Sequence, residues 1–221
     1  MTPNHPLIIA IDGPSGSGKS TLGRMLARAL NLLYIDTGSM YRAIALSVLE
    51  ARVDPKDHDA VVSVARSIEI DFQGDPDSQK TFLAARDVSE LIRSESVTNM
   101  SSIVSAIPGV RRAMVALQRE MGKRGAVLNG RDITTVVFPD ADFKFFLTAS
   151  PEERADRRYQ EDQLKGSQAT FGQTLAEMSE RDRRDTTRID SPLKIADDAI
   201  VIDSTGKSID EVFAQMMKEV K

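Results

Sequence analysis

The sequence predicts an α/β fold, a parallel sheet flanked by helices, and three observations carry that prediction. Residues Gly13 to Ser20 read Gly-Pro-Ser-Gly-Ser-Gly-Lys-Ser, the spacing G-x-x-x-x-G-K-[ST], directly after the apolar run Leu7 to Ile11. Helical spacing begins immediately behind it, at Leu22, Met25, Leu26, Ala29 and Leu30. Further along, short apolar runs alternate with helical patterns, as a sheet covered by helices requires.

The glycine-rich segment is a phosphate cradle rather than a plain turn. Gly13, Gly16 and Gly18 let the backbone curl so that its N–H groups point inward, with Pro14, Ser15, Ser17 and Thr21 completing the segment. Lys19 and Ser20 open a helix whose positive end faces the phosphates. Lys19 is expected to reach the β/γ-phosphates and Ser20 to offer its hydroxyl to Mg²⁺. A dinucleotide fingerprint needs a third glycine where Thr21 stands.

The remaining elements follow in order. Leu32 to Ile35 reads as a second strand, and Asp36-Thr37-Gly38 breaks it before a helix carrying Met40, Ala43, Ile44 and Leu46. A short helix (Val61, Val64, Ala65, Ile68) gives way to alternation at Ile68, Ile70 and Phe72, a turn at Gly74 to Ser78, and a returning strand Lys80 to Ala84. This antiparallel element makes Pro55 to about Ser102 an insert. Pro108 starts a helix through Val110, Met114, Leu117 and Met121 that ends at Gly122 to Gly125. Strands are expected at Ala126 to Leu128, Phe143 to Leu147 and Ala199 to Ile202, before a C-terminal helix with Val212, Phe213, Met216 and Val220.

Composition narrows the function. A chain of 221 residues with 41% hydrophobic and 28% charged side chains has material for one cored domain. Two histidines and no cysteine leave little for a histidine triad, a thiolate-metal site or a disulfide framework. A net charge of -4 offers no general attraction to polymeric nucleic acid. No apolar run is long enough to span a membrane, and no leader pattern is evident, so cytoplasmic location and a monomer are the defaults.

Three charged clusters each admit two readings. Arg154, Arg157 and Arg158, next to Glu152 and Glu153, form either a solvated helix face or a lid closing on a transferring phosphoryl group, with Gln160 to Thr170 as a loose segment behind it. Arg181, Arg184, Asp185 and Arg188 share a helical face and are suited either to surface ion pairing or to phosphate. Arg131 and Asp132 follow a strand at its carboxyl end, where open α/β sheets bind ligands, though they could also pair with each other.

These segments resemble the bacterial-type cytidylate kinases, of the P-loop nucleoside-monophosphate kinase group. The resemblance runs essentially end to end, through Asp12 to Thr21, Asp36-Thr-Gly-Ser-Met-Tyr-Arg42, Asp87-Val-Ser89, Pro108-Gly-Val-Arg111, Gly130-Arg-Asp132, Thr135 to Ala141, Glu152-Glu-Arg154 and Arg181 to Arg188. It implies a P-loop kinase fold in a single domain, 1–221, with its core in 1–36 and 126–221. Residues 37–125 would form an enlarged monophosphate-binding region and 154–170 a short lid. It further implies transfer from ATP, with Mg²⁺, to CMP and dCMP. Thr37, Arg42, Arg131, Arg181, Asp185 and Arg188 would hold the acceptor's phosphate and ribose. Ser102, Arg111 and Asp132 would face the cytosine, and Arg154, Arg157 and Arg158 would cover ATP. Lys19, Arg131, Arg154 and Arg158 would act on the transferring group.

Two positions depart from the family's pattern: Asn129 stands where an acidic residue is usual, and Thr134 where glycine is usual. Two other readings fit these residues less well. A kinase for UMP or a metabolite hydroxyl does not account for Ser102, Arg111 and Asp132 together with the insert. A guanine-dependent switch expects Asn-Lys-x-Asp, and no asparagine here precedes lysine.

Overall fold

The computed structural model describes residues 5–164 and 166–220. Lys165, inside the expected lid, lies outside the described residues, as do the first four residues and Lys221. Five parallel strands build the main sheet: β1 (Ile8–Asp12), β2 (Leu33–Asp36), β6 (Ala126–Gly130), β7 (Phe143–Thr148) and β8 (Ile200–Asp203), in the order β2-β6-β1-β7-β8. The chain leaves β1 for β2 on one side and later runs to β7 on the other. A crevice therefore opens at the carboxyl end of β1, where Asp12 sits beside Gly130 and Phe146.

Strand alternation sorts the core into two halves. Ile9 and Ile11 face one side with Val127, Phe145 and Leu147, packing on Leu22 and Leu26 of α1 (Lys19–Leu30). Met216 of the C-terminal helix closes that half. Ala10 and Leu128 face the other side. There they join Ile44 of α2 (Thr37–Glu50) and Met114 of α5 (Pro108–Gly122). The same apolar cluster continues through Val61, Phe72 and Val104, so the insert shares the main core instead of packing as a separate body.

The insert holds the expected short helix and hairpin and adds a third short strand and a further helix. It contains α3 (His58–Ser67), the antiparallel strands β3 (Ile70–Gln73), β4 (Lys80–Leu83) and β5 (Arg86–Asp87), and α4 (Glu95–Val104). Its far end is tied to β2 by Gln79 Nε2 donating to the Tyr34 carbonyl at 2.7 Å, and to α1 by an Arg28–Asp77 ion pair at 2.6 Å.

One expectation needs correction. The loose segment does not begin at Gln160: α6 runs Pro151–Leu164, so 160–164 are helical, and residues 166–170 lie outside any helix or strand before α7 (Phe171–Thr187), which starts behind a Thr170–Gln173 capping box. Glu153–Arg157 at 3.0 Å and Arg158–Asp162 at 2.8 Å supply i,i+4 support that carries α6 past Gln160. After β6 the chain makes an unanticipated π-helical turn, Ile133–Val137, in which Phe138 N–H reaches the Ile133 carbonyl at 2.8 Å.

Gly13 is the tightest point of the frame. Its φ is 146°, and an added Cβ would lie 2.0 Å from the Leu147 carbonyl oxygen. Gly13→Ala is expected to destabilise the protein by about 3 kcal/mol, read as a lower urea midpoint.

Candidate active site

Above the carboxyl ends of the sheet lies a cleft of about 680 Å³. One wall is the phosphate loop. Gly16 (φ 75°) and Gly18 (φ 88°) turn it through the left-handed region, and Gly18 hands over to the first turn of α1. Ser15 to Thr21 line the cleft, whereas Gly13 and Pro14 lie beneath it. Lys19 Nζ is folded back onto the Pro14 carbonyl at 2.5 Å and the Ser17 hydroxyl at 3.3 Å. Burial holds its pKa well below the usual lysine value, with Arg131 and Arg181 adding to the effect and Asp12 and Asp185 opposing it.

The opposite wall is built on ion pairs. Asp185 Oδ2 accepts from Arg131 Nε at 2.8 Å and Oδ1 from Arg188 Nη1 at 3.3 Å. Burial works against that carboxylate's charge, but Arg131, Arg181 and Arg188 outweigh it and leave its pKa low. Asp132 does not pair with Arg131. Its partner is Arg111, whose Nη2 donates to Oδ2 at 2.5 Å while Nη1 donates to the Ser105 carbonyl at 3.1 Å. Both side chains of this pair are buried, and the Tyr41 ring lies 5.3 Å from the Arg111 guanidinium.

Arg42 and Arg181 also line the cleft, with no hydrogen-bond or ion-pair partner among the described residues. Burial lowers the pKa of both, Arg181 to about 10, and neighbouring arginines including Arg131 deepen the shift. Eleven cationic side chains and five carboxylates line the cleft in total, on a chain whose net charge is -4. Such a concentration of unmatched cations calls for a multiply charged anion.

Several expected positions fall elsewhere. Ser102 is not part of the lining; Ser101 and Ser105, on the neighbouring turn positions of α4 and its C-terminus, are. Arg154 does not line the cleft either. It is buried, donating to the Ala149 and Ser15 carbonyls at 3.0 and 3.1 Å and to Asp182 at 2.5 Å, so it braces the phosphate loop from below. Arg157 and Arg158 do line the cleft, as do Thr37 and Ser20. Arg184, one residue before Asp185, turns out to Glu180 instead of sharing the inner face.

Sequence reading missed the segment after β8. Ser204, Lys207 and Ser208 line the cleft, and Arg157 donates to the Ser204 carbonyl at 2.9 Å and its hydroxyl at 3.0 Å. Their place at a strand's carboxyl end was the available signal. Arg93, just before α4, was missed as well and has no motif around it. At the two departures from the family pattern, Asn129 Nδ2 donates to Ser20 Oγ at 3.2 Å, and Thr134 donates to Asp12 at 2.7 Å.

The cytidylate kinase family model matches residues 9–221. The chain belongs to the cytidylate kinase family. A cytidylate kinase of Geobacter sp. (strain M21) is 47% identical over 216 residues, covering 97% of this chain and 93% of its own. One from Corynebacterium efficiens is 48% identical over 218 residues, covering 98% and 95%. Among solved structures, an uncharacterized protein of Eubacterium ventriosum shares the fold, with a TM-score of 0.55 at 13% identity over 97% of each chain.

Within this family member the Arg111–Asp132 pair is the most deeply buried of the ion pairs among the described residues. Arg111→Met leaves the Asp132 carboxylate buried and unpaired, and should cost about 3–5 kcal/mol in urea unfolding.

Proposed function

We propose that the protein transfers the γ-phosphoryl group of ATP to CMP and dCMP, releasing ADP and the cytidine diphosphate. The observation that carries this reading is the pairing, in one cleft, of a phosphate loop with a separate arginine-rich wall ending in the buried Arg111–Asp132 pair. The loop suits the donor triphosphate, and the wall suits a monophosphate acceptor. Family membership supports the same substrates.

Arg42, Arg131 and Arg188 hold the acceptor phosphate so that one of its oxygens attacks the γ-phosphorus as the bond to the ADP oxygen breaks. Asp185 takes the ribose, with Arg181 beside it. Lys19 leaves the Pro14 carbonyl for the β- and γ-oxygens, and Arg157 and Arg158 cover the donor. No residue is covalently modified, so positioning and charge stabilisation account for the rate. Binding of the anions restores to Lys19, Arg42 and Arg181 the counter-charge that burial denies them.

Cytosine presents an amino donor at N4 and acceptors at N3 and O2, which complement a carboxylate and a guanidinium. Uracil reverses N3 and N4 and would leave both protein groups mismatched, the arrangement that supports strong discrimination. Ser101 and Ser105 line the same end of the cleft and take the place expected of Ser102.

Magnesium would enter with the triphosphate. Among the described residues no cluster of three acidic, histidine or cysteine side chains could hold a metal alone. Ser20 Oγ, supported by Asn129, offers one hard oxygen, and the Asn129 Oδ1 is buried without a protein partner. That donor set fits a cation brought in with the phosphates: Ser20 would hold it, with Asn129 beside it, and it would supply charge neutralisation for the transferring group. Among the described residues no helix is long and apolar enough to cross a membrane, which is compatible with work in the cytoplasm.

Incubation with Mg-ATP and each of CMP, dCMP, UMP, AMP and GMP, followed by ADP formation, tests this reading. CMP and dCMP are expected to be turned over fastest; faster turnover of UMP or AMP would contradict it. Asp132→Asn should narrow the preference for CMP over UMP, and unchanged discrimination would remove Asp132 from the base pocket.

A further inference from the structure

Asp12 is fully buried at the end of β1, one residue before the phosphate loop. All three hydrogen bonds to its carboxylate come from the turn that follows Asp132. Ile133 N–H donates to Oδ1 at 3.0 Å, while Thr134 N–H and the Thr134 hydroxyl both donate to Oδ2 at 2.7 Å. The root of the donor loop is thus pinned to the peptide that carries Arg131 and Asp132. Thr134 is itself buried, and its hydroxyl makes no other hydrogen bond among the described residues.

Two charged groups act on this pair: Asp132 repels the Asp12 carboxylate, and Asp12 attracts Lys19. A charged carboxylate kept out of water here is destabilising in itself. Oδ2 accepts two donors from Thr134, so a proton arriving there would face groups that already point at the oxygen.

We propose that Thr134 is a positioning residue, whose hydroxyl keeps the Asp12 carboxylate ionised so that it clamps the phosphate loop to the acceptor pocket, and that protonation of Asp12 opens this clamp. The inference rests on the kinase reading of the cleft. Burial raises the Asp12 pKa to about 6, and the Thr134 hydroxyl and N–H hold it from rising further. Loss of the hydroxyl removes one hydrogen bond to a charged group and moves the clamp's titration upward by about one pH unit.

The test compares kcat at saturating Mg-ATP and CMP from pH 5 to 8 for wild type, Thr134→Ser, Thr134→Val and Thr134→Gly. Phosphate titrations of the substrates are common to all four, so only the protein's contribution differs. The acid limb of Thr134→Val and Thr134→Gly is expected to lie about one pH unit above that of wild type, with Thr134→Ser coincident with wild type. If Thr134→Val does not fold, Thr134→Gly decides. Coincident limbs for all variants, or a serine variant displaced as far as valine, would overturn the proposal.

A second readout needs no turnover. A carboxylate whose folded pKa is raised loses stability as pH rises toward that value, so a further rise extends the loss. The melting temperature of Thr134→Val should therefore fall further behind wild type between pH 6 and pH 7. A constant gap would count against the clamp even if the kinase reading failed, and an inactive wild type with a widening gap would count against that reading alone.

Discussion

Positive charge crowded above the carboxyl end of a parallel sheet is the constraint from which the rest of this site follows. Lys19, Arg42, Arg181 and Arg188 all have their pKa values lowered, first by burial, and neighbouring arginines reinforce the effect. Left alone, such a group would repel itself apart. The fold answers with a few carboxylates placed as spacers: Asp185 between Arg131 and Arg188, and Asp132 beneath Arg111. The balance is deliberately incomplete, since Arg42 and Arg181 keep no partner among the described residues and still face the cleft.

Parallel strands make this arrangement possible because every carboxyl end lies on one edge. Asp12, Asp36 and Gly130 end three neighbouring strands; Thr37 and Arg131 enter the cleft directly after Asp36 and Gly130, and Ser15 enters it three residues after Asp12. Rigid elements therefore carry the polar groups, while the apolar residues below, such as Ile11 and Leu128, are fully buried. Arginines divide between two tasks. Arg154 is buried under the phosphate loop and Arg119 donates to the Val136 and Val137 carbonyls, so both hold backbone in place. Arg157 and Arg158 are more exposed and reach the cleft from a firm helix.

Much of this was legible in the sequence where the signal is local. Helix α1 runs over the expected residues because the loop before it and Asn31 after it, at φ 52°, both mark its ends. The apolar runs marked every strand of the main sheet to within a residue or two. Helix α4 escaped notice because serines and a threonine interrupt its apolar face, which only packing against α2 completes. The π-helical turn depends on Asp12, distant in sequence, which holds its first two N–H groups. The partner of Asp132 likewise depended on tertiary packing, which joined it to Arg111 across 21 residues rather than to adjacent Arg131. Arg154 and Arg158 share a helix, and no spacing rule distinguishes the one that turns under the loop from the one that faces the cleft.

The central claim is that the cleft is held short of neutral so that a phosphate monoester completes it. The most direct measurement is the melting temperature of the protein with CMP, cytidine or inorganic phosphate at equal concentration. The account predicts a clear rise with CMP, a small one with phosphate and almost none with cytidine, shrinking as salt is added. Equal stabilisation by cytidine and CMP would contradict it.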